Sequence, residues 1–452
     1  MIFLSLYYYA LMAKCRVIII GEGPAGLMAA GQAAQAGAEV LLLAKMDKPG
    51  YKLRLTGNGR CNLTNTDPLP EFIRHFRPDG RFLRQAFSQF FSSELIDFFE
   101  KLGVPTTIEQ NRFIFPATGK AADVVNALVR WVSICGANLQ MLCPAEKLFV
   151  ENGRITGVRA SKKNSTKLTF PADAVIIATG GASYPSTGST GDGYKLAESV
   201  GHTIVRIRPA LVPLETAGDI APRLQGLSLD NVKITVLSNK KKIAQKSGLP
   251  RRSEAKTGEI IFTHFGLSGP AVLSLSGQIV DELCLGNKVS FSIDLTPGLP
   301  VLSNIEGDER QLDNHLISLL AEHGKKQLKT IISNFVPAKL ALVCADLIRL
   351  PPDKIGSQIS ADERRKLKAL LKDFRLEVTA SRPLAEAMVT AGGVATGEID
   401  PRSMASRLVK GLYFAGEVLD IDGDTGGYNL QAAFSTARLA AISATNANLR
   451  AD

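Results

Sequence analysis

The chain has 452 residues, 45% hydrophobic and 21% charged, with a net charge of +10. That is too long for one ordinary domain; it predicts about three, with ample apolar material for globular cores. The basic residues are scattered and aromatics are only 6%. No basic run is interleaved with the rings that single-strand nucleic-acid binders need, so the charge reads as a solvated surface.

The six cysteines form no CxxC pair and the five histidines are dispersed, which excludes a Cys/His zinc site and fits a reduced, cytoplasmic protein. The N-terminal MIFLSLYYYALM is apolar, but it lacks a basic n-region and is too short to span a bilayer. Residues 1–12 read as an extension or a mis-assigned start. No later apolar run reaches membrane-spanning length, so no membrane partner is expected.

Arg16–Ile20 is a continuous β-branched run, the pattern of a strand buried in a parallel sheet. It leads into Gly21-Glu22-Gly23-Pro24-Ala25-Gly26, an alanine-rich helical stretch to about Gln35, and a second strand at Glu39–Leu43. GxGxxG in this strand–turn–helix setting predicts a dinucleotide site. Gly21 permits the turn, Gly23 lets the backbone approach a pyrophosphate, and Gly26 lets helix and strand pack closely. The helix N-terminus adds free N–H groups and the positive end of its dipole. The acid that should hold the ribose belongs at the end of the second strand, where Ala44 stands. Alanine accepts no hydrogen bond. Asp47 is a neighbouring acid, and Lys45 can approach a phosphate but, as an ammonium, only donates. The gap predicts weakened cofactor binding that Ala44→Glu tightens.

Leu55–Asn62, LTGNGRCN, is too rich in small and polar residues for a strand or helix and predicts a positive-φ turn. Such a loop can wrap a pyrophosphate with Arg60 as charge partner, or it is an ordinary surface turn. Cys61 has no resolving cysteine near it in sequence and reads as a packing or cofactor-contact residue rather than a redox thiol. Ala174–Ala178 is another buried strand, ending in Thr179-Gly180-Gly181. Thr187–Gly193 precedes a helical stretch at Tyr194–Val200, which Thr190 or Asp192 can cap; the alternative is a loop bordering the substrate site.

Near-alternating strands at Asn231–Leu237 and Lys288–Leu295 point to an antiparallel, barrel-like insert, and residues 302–373 have helical period. His264, in FTHFGLSGP, is a natural proton donor near neutral pH, although a lone histidine at a strand end is more often a structural residue. Thr390, before Gly392-Gly393, is the second catalytic candidate; the acid–base residues are otherwise unknown.

Gly411–Glu417 returns to an apolar strand ending in glycine and an acid, followed by DIDGDTGGYNLQ at 420–431 and a helix from Gln431 to about Ala441. The alternate aspartates suggest a calcium loop, but an EF-hand needs Gly at position six and Glu at position twelve, where Thr425 and Gln431 stand. A return to the same fold about 390 residues later suits FAD, whose flavin end needs N–H donors beyond the first turn. The Gly426-Gly427-Tyr428-Asn429 turn then aims a second helix dipole at the flavin N1–C2=O edge, with Glu417 and Asp420 accepting from ribityl or water.

In GEGPAG (21–26), LTGNGRCNLTN (55–65), ATGGASYPSTGSTGDGYKLAESVGH (178–202), IIFTHFGLSGP (260–270), MVTAGGV (388–394) and GLYFAGEVLDIDGDTGGYNLQAAFSTARLA (411–440), the chain resembles the BaiN-like bacterial flavoproteins. The resemblance covers essentially residues 13–445, and TGNGRCN and GEVLDIDG-x-TGGYN are its most specific parts. It implies a glutathione-reductase-type FAD domain, noncovalent FAD, a small-molecule substrate, and reductase or oxidase chemistry with NAD(P)H as a transient reductant. Activities attributed within the family are reduction of unsaturated oxo-steroids and oxidation of aminoacetone. The implied cofactor-binding set is Gly21, Gly23, Ala25, Gly26, Ala44, Lys45, Lys52, Gly57, Asn58, Gly59, Arg60, Cys61, Asn62, Ala145, Ala178, Thr179, Gly180, Gly416, Glu417, Asp420, Gly427, Tyr428, Asn429 and Leu430. The chain departs from the family pattern at Ala44, where Glu is usual, and at Tyr51, where Arg is common.

The expected fold is α/β: a discontinuous Rossmann-like FAD domain at 13–200 and 379–452, and an insert at 201–378. In the insert, barrel-like segments at 201–301 and 374–378 flank a helical subdomain at 302–373. The expected function is an FAD-dependent oxidoreductase moving a hydride to or from a small or medium organic substrate. The alternatives are an RNA-modifying flavoprotein, motivated by the net charge and the Lys240–Lys242 run, and a noncatalytic FAD-binding sensor.

Overall fold

The computed structural model describes residues 15–110, 112–162, 166–239, 255–298, 309–334, 336–351 and 353–449. The extension at 1–12 and the Lys240–Lys242 run lie outside them. The chain divides into two compact units: one runs to Arg208 and resumes at Met388, and the other is Pro209–Ala387.

The first unit is built on a parallel sheet of β1 (Arg16–Ile20), β2 (Glu39–Leu43), β3 (Asn138–Gln140), β4 (Ala174–Ile177) and β5 (Leu412–Phe414). Their spatial order is β5-β4-β1-β2-β3. Val17–Ile20 and Ala174–Ile177 are buried without a break, which is what a central strand with both faces covered requires. The chain moves from β1 to one side through β2 and β3, then returns to the other through β4 and β5. The carboxyl ends of β1 and β4 therefore flank a topological switch point, where open α/β sheets bind ligands.

Helix α1 (Pro24–Gln35) follows β1, α2 (Tyr51–Gly59) follows β2, α3 (Ala121–Ile134) precedes β3, and α4 (Tyr428–Leu449) closes the chain. Alanines and Gly31 let α1 pack closely against α3 and α4; a Cβ on Gly31 would stand 2.2 Å from the Trp131 ring. Residues 55–59, expected to be turn only, begin inside α2. The helix breaks at Thr56, Gly57 and Asn58, the last two at φ of 56° and 55°, as Gly-Asn-Gly predicts. Two other helices start earlier than their sequence pattern suggests. Helix α4 opens at Tyr428 rather than Gln431, and a short helix runs Asp192–Glu198 behind Gly191, without a side-chain cap from Thr190 or Asp192.

In the second unit, six antiparallel strands close a barrel in the order Leu214–Thr216, Gly266–Ser268, Ala255–Phe262, Ser228–Ser238, Val289–Asp294 and Phe374–Ser381. Burial alternates along the last two, with Val289, Phe291 and Ile293 and then Phe374, Leu376 and Val378 in the core. Helices Glu309–Glu322, Leu328–Ile332, Ala338–Leu347 and Ala361–Lys372 precede the closing strand. A boundary at 378 would cut that strand, whose Val378 pairs with both Val289 and Thr216; the observed division falls after Ala387. Among the described residues, no helix is long and apolar enough to cross a membrane.

Candidate functional site

The site is assembled where β1 and β4 end. Gly21 has φ of 113°, and a Cβ there would lie 2.4 Å from the Ala178 carbonyl; a Cβ on Gly26 would lie 1.8 Å from the Gly21 carbonyl. The two turns are back to back, and both glycines are required by the protein itself. Gly23 is different. Its φ is −80°, which any residue adopts, and no heavy atom lies within 4 Å of where its Cβ would be. Neither conformation nor packing demands glycine at this position. A pyrophosphate seated against the backbone does, and the first-turn N–H groups of α1, which has no side-chain cap, suit its charge. The residues fit a dinucleotide.

Lys52, in the first turn of α2, sends its ammonium to Glu417 Oε2 at 2.8 Å, Oε1 at 3.0 Å and Ser183 Oγ at 2.8 Å. Glu417 Oε1 also accepts from the Thr390 N–H at 2.8 Å, while the Thr390 hydroxyl accepts from the N–H groups of Ala182 and Ser183 at 2.9 and 3.1 Å. Four distant segments are thereby tied into one node beside the Thr179-Gly180-Gly181 turn. Thr390 is fully buried and works there as a pin for the backbone. His264 is exposed in the other unit, edge-on to Phe265 at 4.9 Å.

The acids of DIDGDTGGYNLQ have protein partners. Asp422 pairs with Arg77 at 2.7 Å, and Asp424 with His75 at 2.8 Å. Asn429 then folds back on the turn, accepting from the Gly423 N–H and donating to its carbonyl, both at 2.8 Å. His75 stacks on Tyr428 at 4.4 Å, and the Tyr428 hydroxyl donates to Asp67 at 2.6 Å and accepts from Arg112. Burial pushes the Tyr428 phenol well above its ordinary range, and the Asp67 hydrogen bond adds to the shift. Gly427 has φ of 87°, and a Cβ there would meet Thr64 backbone atoms at 2.6–2.8 Å. Gly416, Glu417 and Asn429 line a small cleft with Leu83, Ile421, Ala432 and Thr436. The first-turn N–H groups of α4 have no intrahelical acceptor and can receive negative charge.

The chain matches the HI0933-like protein Rossmann domain over residues 15–443. It is 31% identical to the 3-dehydro-bile acid delta(4,6)-reductase of Clostridium scindens, covering 94% of this chain and 98% of that one. It is also 31% identical to the ribosomal RNA dihydrouridine synthase of Escherichia coli, over 94% and 97% of the two chains. Among solved structures, the 3-ketosteroid delta1-dehydrogenase of Sterolibacterium denitrificans shares the fold, with a TM-score of 0.50 at 14% identity over 95% and 99% of the chains. The chain belongs to the HI0933-like family. It is a flavin-dependent oxidoreductase of the BaiN-like kind.

Two regions of this HI0933-like chain refine the expected residue set. In the TGNGRCN loop, Gly57 and Asn58 are exposed, and Arg60 pairs with Glu109 and lies over the Phe115 ring at 4.5 Å. Cys61 is fully buried, and burial pushes its thiol up to about 12. Ala145 opens a strand, Ala145–Glu151, opposite Ala160. At the end of β2, Ala44 is buried, with its N–H donated to Gln140 and its carbonyl accepting from Cys143. The Lys45 ammonium goes to Thr190 and Asp192, each at 2.6 Å. Glu22 is the residue that sequence reasoning passed over: its carboxylate accepts from the N–H groups of Lys45 and Met46. Its one sequence signal is a long acid where the turn needs only a small residue.

Proposed function

We propose that this chain is an FAD-dependent reductase that adds hydrogen across a carbon–carbon double bond conjugated to a carbonyl. The observation that carries the reading is Gly23, a glycine without a reason inside the protein, in the same unit as a second glycine turn that opens α4. Two helix N-termini suit a cofactor with negative charge at a pyrophosphate and, on reduction, at its flavin edge. The activities named for the two relatives share a chemistry. A 3-oxo group conjugated with Δ4,6 double bonds and the C5=C6 bond of uridine conjugated with its C4 carbonyl are both electron-poor alkenes.

FAD, when bound, supplies hydride transfer at N5. The first turn of α1 would hold the pyrophosphate, and the first turn of α4 would stabilise negative charge on the reduced flavin. The Lys52–Glu417 node keeps the turns at Gly180 and Gly416 in register with α2. His264, exposed in the second unit, is the proton-bearing group to test by substitution. NAD(P)H serves as the reductant, and the substrate is a small or medium organic enone. A second reading takes a uridine in ribosomal RNA as substrate, supported by the near full-length similarity to the Escherichia coli synthase and by the +10 charge.

The experiment is anaerobic reduction of the purified protein with NADPH or NADH, followed by mixing with a 3-oxo-Δ4 steroid or with ribosomal RNA. Reoxidation of the flavin by the steroid, with a product heavier by two hydrogens, is expected. Reoxidation by RNA alone would replace the first reading with the second. A colourless protein that does not yellow with added FAD sinks both.

A further inference from the structure

We infer that Glu22, between the first two glycines of the turn, supplies the carboxylate for the adenosine ribose that the end of β2 lacks. The inference rests on the FAD reading above. Three observations meet at this strand end. Ala44, where the fingerprint calls for an acid, is fully buried and has no side-chain acceptor, and its own backbone groups are held by Gln140 and Cys143. Glu22 reaches across to the same place: Oε2 accepts from the Lys45 N–H and Oε1 from the Met46 N–H, each at 3.3 Å. The backbone that carries Glu22 is pinned as well, its carbonyl accepting from the Gly50 N–H at 3.0 Å.

The geometry leaves acceptor capacity for a diol. A carboxylate offers about four lone-pair sites, and the two amide bonds use one on each oxygen. Those bonds are long, so the carboxylate is under-satisfied for a group held partly out of water. Burial accordingly pushes its carboxyl above the ordinary value. The cation carried by the same strand end does not claim it either, because the Lys45 ammonium bonds to Asp192 and Thr190. The function displaced from position 44 thus has a carboxylate at the same strand end, delivered by the turn that also approaches the pyrophosphate. An alanine at 44 is then a matched change, since a glutamate there would set two carboxylates against each other.

The test is titration of apoprotein with FAD and with its adenosine 2′,3′-dideoxy analogue, read by flavin fluorescence. The parent should prefer FAD by about tenfold or more, as expected for one or two charge-assisted hydrogen bonds. Glu22→Gly should bind the two flavins equally, at the weaker value, with unchanged affinity for the analogue as the sign that it is folded. Contrary to the expectation from the gap at position 44 alone, Ala44→Glu by itself should gain nothing over the parent, whereas Glu22→Gly with Ala44→Glu should recover the preference. Glu22→Gly binding FAD as tightly as the parent, or more tightly, overturns the inference by making Glu22 a bystander or an obstruction. Failure of the parent to bind either flavin overturns the FAD reading itself, a separable outcome.

Discussion

Lys52 and Glu417 lie 365 positions apart and meet at 2.8 Å, with both side chains about one-fifth exposed. The pair joins α2 to the turn after β5, so the two ends of a discontinuous fold are locked together beside the Gly180-Gly181 turn. Removing one partner leaves the other charge part-buried and alone, which costs more than the pair itself contributes.

Lys52→Met should therefore destabilise the protein by about 2 kcal/mol, and Glu417→Gln by a similar amount. The double variant should be less damaged than the sum of the two, because each single change already breaks the same bond. Urea denaturation of the three variants checks this. Strict additivity would mean that the two residues act independently.

Gly427→Val should abolish flavin retention. The position needs φ of 87°, and a Cβ meets the Thr64 backbone at 2.6–2.8 Å, so the start of α4 must move. Backbone strain of this kind costs about 1–3 kcal/mol before the clash is counted. Gly427→Ala should show a smaller effect in the same direction. Visible absorbance after purification is the measurement, and a fully yellow Gly427→Val protein would detach this turn from the cofactor.

The six cysteines should separate by reactivity. Cys284 is exposed, whereas Cys61 and Cys344 are buried and their thiols are pushed up to about 12. At pH 8 a thiol reagent should modify Cys284 quickly and leave Cys61 and Cys344 until the protein unfolds, since the thiolate is the nucleophile. Mass spectrometry of the labelled peptides reads the order. Early labelling of Cys61 would restore a redox role in the TGNGRCN loop.

The parts legible in the sequence were those governed by local pattern. Unbroken apolar runs marked β1 and β4 as central parallel strands, alternation marked Val289–Asp294 as a barrel strand, and Gly21–Gly26 announced the nucleotide turn. Long-range pairing was not legible. Nothing local in DIDGDTGGYN says that Asp422 belongs to Arg77 and Asp424 to His75, roughly 350 residues earlier. The same holds for Glu22, whose partners at Lys45 and Met46 come near only because β1 and β2 are neighbours. The start of α2 was hidden for another reason: Gly-Asn-Gly dominates its window although Tyr51–Leu55 is already helical.

Glu22 also sets a trade between stability and cofactor binding that pH can expose. Burial raises its carboxyl above the ordinary value of 4.5, so between that value and the folded one the folded state binds more protons than the unfolded state. Stability contributed by this group therefore falls as pH rises through that interval. In the apoprotein, Glu22→Gln removes the cost of holding the charge. Its melting temperature should exceed that of the parent near pH 7 and approach it as the pH falls below 4.5, where Glu22 becomes protonated in both states. Saturating FAD should invert the order at pH 7, because a ligand that prefers the parent stabilises the parent more. Thermal melts over this pH range, with and without FAD, decide it. An apo Glu22→Gln variant less stable than the parent at pH 7 would mean that the Lys45 and Met46 N–H bonds already satisfy the carboxylate, leaving no capacity for a ribose.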